Sequence, residues 1–176
     1  QKNRLNLTKE AILSVIKEAF EEGAADLIQI NMDYCRESDR GLTRLAPVVQ
    51  AIKKEFSTFV GLRGFPPKNK QTLDKVYAAG IDLLNFPLEG FVGFAKKEDN
   101  ISSALVYSAL EYATEIFPPG TVWTELFLEP NSIDSLKDKI DYLTKKRILP
   151  LLKLMPPSAL KEKDHQHFAE AASYLE

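Results

Sequence analysis

Two hydrophobic periods alternate strictly along this chain, and that alternation limits its fold more than any other feature. Behind Thr8, a suitable N-cap, Ile12, Val15, Ile16, Ala19 and Phe20 share one helical face, and Gly23 can end the helix. DLIQINMD, Asp26 to Asp33, then reads as a short strand. Leu45, Val48, Val49, Ile52 and Phe56 return to helical spacing, where Pro47 is tolerable only in the first turn. TFVGLRG, Thr58 to Gly64, is a second strand, KNKQTLDKVYAAG a helix closed by Gly80, and IDLLNFPLEG, Ile81 to Gly90, a strand that runs into a loop.

The second half repeats the scheme. Leu105, Val106, Ala109, Leu110, Ala113 and Ile116 predict a helix from about Ile101 to Phe117, stopped by Pro118, Pro119 and Gly120. Val122 to Leu128 is a strand. Ile133, Leu136, Ile140 and Leu143 form the next helix, with Asn131 or Ser132 as cap and Asp134 in the first turn. Ile148 to Met155 is a strand, and a last helix runs from about Asp164 to Tyr174.

The expected fold is therefore α/β, a single domain over 1–176 with about five parallel strands and six helices. Parallel strands need crossovers of a dozen or more residues, and helices supply them here. Their apolar, leucine-rich or β-branched character suits a sheet covered by helices. An open doubly wound sheet and a partial (βα) barrel both satisfy this order. The lack of a glycine-rich phosphate loop of the dinucleotide kind favours the barrel.

Composition narrows the function. A formal charge of −2, with no basic stripe carrying interleaved aromatics, gives nucleic acid no support. No run of about 18 apolar residues exists, so no membrane span is expected. The single cysteine, Cys35, excludes an internal disulfide and a cysteine-built metal site within this chain, and fits the reducing cytoplasm. His165 and His167 are two apart and diverge on a helix, so they do not pair on a metal. The expected partner is a small molecule. An exposed sheet edge would also invite a homo-oligomer.

In both candidate architectures ligands bind at the C-terminal ends of the strands. Those ends carry Asn31 and Asp33, then Arg63, then Asn85 and Glu89, then Thr124, Glu125 and Glu129, and finally Lys153. Polar groups inside a barrel mouth are costly unless paired or used for a ligand, so the ring says more than any member. Each also has a plainer reading. Arg63 could pair with Asp33 or Glu89. Asn85 could bond the turn at Phe86-Pro87, and Glu129 the amides of the following helix. Glu125 could face outward from a partly exposed edge, and Lys153 could reach solvent.

These stretches resemble the radical SAM enzymes, within them the proteins related to biotin synthase. VWTELFLEPNSIDSLKDKIDYLTKKRILPLLKLMPP is similar to that family's fifth strand, helix and sixth strand, with Leu128-Glu129-Pro130 and Ile148-Leu149-Pro150 carrying the match. IDLLNFPLEGF resembles the fourth strand, where an Asn and an acid contact S-adenosylmethionine. The resemblance runs from about Thr8 to Pro157. The family's three-cysteine loop, Cys-x3-Cys-x2-Cys, is not in this sequence, and the simplest expectation is a chain that starts after it. Asn31-Met32-Asp33 stands where the family carries a Gly-Gly-Glu-like turn, and Phe127 where it carries Gly.

The resemblance implies a partial barrel lacking its first strand, from an enzyme that cleaves S-adenosylmethionine to a 5′-deoxyadenosyl radical and takes hydrogen from a substrate. It implies S-adenosylmethionine and a [4Fe–4S] cluster as cofactors of the full-length protein. It implies ribose contacts from Asn85 and Glu89, and a methionyl carboxylate on Arg63 or Lys153. Asp33 or Asn31 would meet the ammonium, and adenine would lie near Leu151. Glu125 would stand at the barrel mouth, and Glu129 would brace its turn. Two alternatives stand beside it: a cluster-free (βα)-barrel lyase or synthase using Lys153 as a Schiff base, and a non-catalytic binding domain.

Overall fold

A computed structural model describes residues 8–88, 101–127, 133–153, 170, 173 and 174. Five helices are described: α1 (Lys9–Glu21), α2 (Ala46–Glu55), α3 (Thr72–Ala78), α4 (Ser103–Ile116) and α5 (Ile133–Lys145). They alternate with β1 (Leu27–Asn31), β2 (Phe59–Arg63), β3 (Leu83–Asn85), β4 (Val122–Phe127) and β5 (Leu149–Lys153). The expected closing helix and the caps Asn131 and Ser132 fall largely outside the described residues, as do Glu89, Glu129, His165 and His167. Within the closing segment Glu170, Ser173 and Tyr174 are helical, and the Tyr174 hydroxyl donates to Asp141 on α5 at 2.7 Å.

Local chemistry sets the helix ends. Thr8 Oγ1 accepts from the Ala11 amide at 3.2 Å and Ser102 Oγ from the Leu105 amide at 3.2 Å, each satisfying a donor that a helix start leaves open. Pro47 sits in the first turn of α2, where its missing N–H costs nothing. Gly80 follows α3 at φ +107°, a conformation only glycine adopts easily.

All five strands run parallel in the order β1-β2-β3-β4-β5. A doubly wound sheet needs a reversal in that order, and there is none among the described strands. With right-handed crossovers throughout, a sequential order places every connecting helix on the same face. The core agrees. Val60, Leu62, Leu84, Val122 and Leu126 are buried from that face against Leu13, Val49, Ile52, Val76, Val106, Leu110, Leu136 and Ile140 of the helices.

The opposite face reads differently. The register aligns Asn31, Arg63, Asn85, Trp123 and Leu149 across the sheet, so these and every second residue from them point away from the helices. Leu27, Phe59, Leu149 and Leu151 all lie on this face, and all are exposed. On the edge strands β1 and β5 the residues of this face alternate with half-buried ones of the other.

Strand β3 is shorter than expected from Ile81 to Gly90. At its start the Asp82 carboxylate, not a longer ladder, accepts from the Val60 amide at 2.7 Å. At its end Pro87 has no N–H to donate, and the Phe86 carbonyl turns to the Thr124 hydroxyl at 2.8 Å. Among the described residues, no helix is long and apolar enough to cross a membrane.

Candidate functional site

The exposed face of the sheet forms one cleft of about 580 Å³, within the range of small-molecule sites. Every strand contributes to it, from Leu27, Gln29 and Asn31 on β1 to Leu151 and Lys153 on β5, so the face is concave. Its charged groups gather where the strands end.

Glu125, on β4, is at their centre. Its residue surface is 2% exposed. The Arg63 guanidinium, from β2, grips the carboxylate with two bonds: Nε donates to Oε1 at 2.6 Å and Nη2 to Oε2 at 2.8 Å. Lys153 Nζ, from β5, reaches Oε2 at 2.6 Å. Asn85, from β3, donates Nδ2 to Oε1 at 2.9 Å. A carboxylate only accepts, so the amide nitrogen must face it, and Asn85 Oδ1 is turned away. That oxygen is buried and has no hydrogen-bond partner. Buried polar atoms are almost always paired, so an orphan acceptor here marks a place for a donor group.

Burial alone would raise the Glu125 carboxyl. Hydrogen bonds from Arg63 and Lys153, with the guanidinium charge and Asn85, outweigh it and lower the group to about 2. The same bond to Glu125 raises Arg63 against its own partial burial. The cluster thus holds two cations and one anion. The Arg63 and Lys153 side chains remain 39% and 38% exposed, so donors not spent on Glu125 open to the cleft.

No family model and no curated protein matches this chain.

Of the residues expected from the sequence, Asn31, Arg63, Asn85, Glu125, Leu151 and Lys153 line the cleft together. Asp33 is exposed on the segment after β1 and is not among the lining residues. Glu89 and Glu129 lie outside the described residues. Three plainer readings are corrected. Arg63 pairs with Glu125 and not with Asp33. Asn85 bonds Glu125 rather than its turn. Glu125 does not face out from an exposed edge, because β4 lies between β3 and β5 with pairing on both sides. Thr124 points to the helical face, where it is fully buried.

Sequence reasoning missed Gln29, Leu83 and Trp123, which also line the cleft. The signal was present: each is one inward step, two residues, before a residue that was found.

The donor set does not fit an iron–sulfur cluster. The chain has one cysteine, and no group of three His, Cys, Asp or Glu among the described residues could hold a metal ion.

Proposed function

We propose that the charged end of the cleft binds S-adenosylmethionine, and that this chain is the cofactor-binding part of a radical SAM enzyme related to biotin synthase. The observation that carries the reading is the pair of cations on either side of buried Glu125, at the C-terminal ends of β2 and β5. Arg63 and Lys153 keep donors for the methionyl carboxylate, and bonds between ions are the strong kind. Asn85 Oδ1 is an acceptor for a ribose hydroxyl or the ammonium. The sequence resemblance over the β3 and β4 regions supports the same assignment. In this reading the residues of the chain bind and orient the cofactor, shield it from water on one side, and hold one buried carboxylate charged. Radical chemistry at a cluster would draw on ligands other than these side chains.

Calorimetric titration of the purified chain with S-adenosylmethionine tests this. Binding is expected, about tenfold or more weaker in Arg63→Met and in Lys153→Met. A wild-type chain that takes up no S-adenosylmethionine, or variants that bind it equally well, refutes the reading.

A further inference from the structure

A separate cavity lies on the other side of the sheet, among the helices. Its volume is about 140 Å³, and it sits between α2, with the turn that leads into it, and α3, with the chain that leads into β3. We propose that it binds a small carboxylic acid, with a hydrocarbon ring or branched chain of about six carbons in the cavity and the carboxylate on Lys75. The site shares no residue with the cleft and does not depend on the cofactor reading.

The walls define the apolar half of that class. Leu42, Val49, Val76, Ala79 and Ile81 line the cavity, all are buried, and none has a polar side-chain atom. Protein interiors are close-packed and hold few voids larger than a water molecule. A buried water needs two or more polar partners, which these side chains lack, so the floor favours hydrocarbon over solvent. Apolar cavities of about 150 Å³ take up benzene, which sets the size of the occupant.

The mouth defines the charged half. The exposed lining residues are Thr43 and Lys75. The Thr43 hydroxyl already donates to the Asp39 carboxylate, which also accepts from the Gly41 amide. Lys75 differs: among the described residues its ammonium has no ion-pair or hydrogen-bond partner. It is the donor left for a ligand, and a hydrogen bond between ions is about twice as strong as a neutral one. The sequence joins the two halves. Lys75 and Ala79 are one helical turn apart, linked by the Ala79 N–H to the Lys75 carbonyl at 3.0 Å, so the charge stands one turn from the apolar wall.

The probe is 3-phenylpropanoate, titrated against the full chain and followed by ligand-observed NMR, with 3-phenylpropan-1-ol as its neutral counterpart. Saturable binding of the acid is expected. Ala79→Leu puts a larger side chain into the cavity and should weaken binding about tenfold or more, with thermal unfolding at or above that of wild type. If that chain does not fold, Ala46→Leu fills the same space from α2. Lys75→Met keeps an apolar stem at an exposed position and removes the charge. It should weaken the acid about threefold and leave the alcohol unchanged. A wild-type chain that takes up no 3-phenylpropanoate overturns the proposal. So does equal binding to the cavity-filled chain, which would seat the acid elsewhere, and so does equal binding of the acid to Lys75→Met.

Discussion

Arg63 and Glu125 form a two-bond ion pair although their strands do not touch: β3 lies between β2 and β4, and the pair spans it. Strands in a sheet are about 4.8 Å apart, so the two backbones are separated by roughly 10 Å. Only a long guanidinium and an acid on the same concave face close that gap. Asn85 on β3 lies between them and adds its own bond to Glu125.

Glu125→Gln keeps the shape of the side chain and removes its charge. Arg63 and Lys153 then lose their shared anion but remain partly in water, which softens the penalty. Urea unfolding at pH 7 should show a loss of about 1–3 kcal/mol. A change below about 0.5 kcal/mol, the range of ordinary surface substitutions, would mean the cluster does not hold the sheet.

Acid should act through the same carboxyl. Its folded-state value, about 2, lies below the ordinary 4.5, so protons bind the unfolded chain more readily. The stability it contributes is full above about pH 4.5 and fades as pH falls toward about 2. By linkage the total is at most about 3 kcal/mol. The difference between wild type and Glu125→Gln, followed from pH 6 to pH 2, should stay level and then shrink. A gap that persists unchanged at pH 2 would assign the effect to packing.

Lys153 is not expected to act as a Schiff-base lysine. Its Nζ already donates to Glu125 at 2.6 Å, and an imine there would cost the buried carboxylate a charged donor. Borohydride with small aldehydes and ketones should leave Lys153 unlabelled in peptide mass spectra. Selective labelling of this residue would revive a cluster-free lyase or synthase.

Gly80 tests the link between α3 and β3. It sits at φ +107°, and a Cβ there would come within 2.8 Å of Lys53 Cγ. Lys53 in turn bonds the Asp82 carboxylate at 2.9 Å. Gly80→Ala combines backbone strain with a displaced ion pair, and thermal unfolding should show a loss of about 1–3 kcal/mol. Gly23 has a positive φ of 65° with open space around it, so Gly23→Ala should cost less.

Much of this was legible in the sequence because it is local. Helical spacing, caps at Thr8 and glycine or proline stops placed α1 to α5 within a few residues of where they lie. The ring of Asn31, Arg63, Asn85, Glu125 and Lys153 followed from a rule about strand ends. Pairing did not, because it depends on register, and a slip of one residue sends a side chain to the opposite face. Hence the strand-end rule offers Asp33 and Glu89 as partners for Arg63, when Glu125, 62 positions away, bonds it. Trp123 stands two residues before Glu125 on the same face of β4, one step short of the strand end that the rule reads.

The sequential strand order also bears on how the molecule is made. Each strand lies beside the one synthesised just before it, so every new helix–strand unit finds its docking edge already waiting. Nothing in the described sheet must stay unpaired for a strand still inside the ribosome. Folding from the N-terminal end onward, during synthesis, is the path this topology favours.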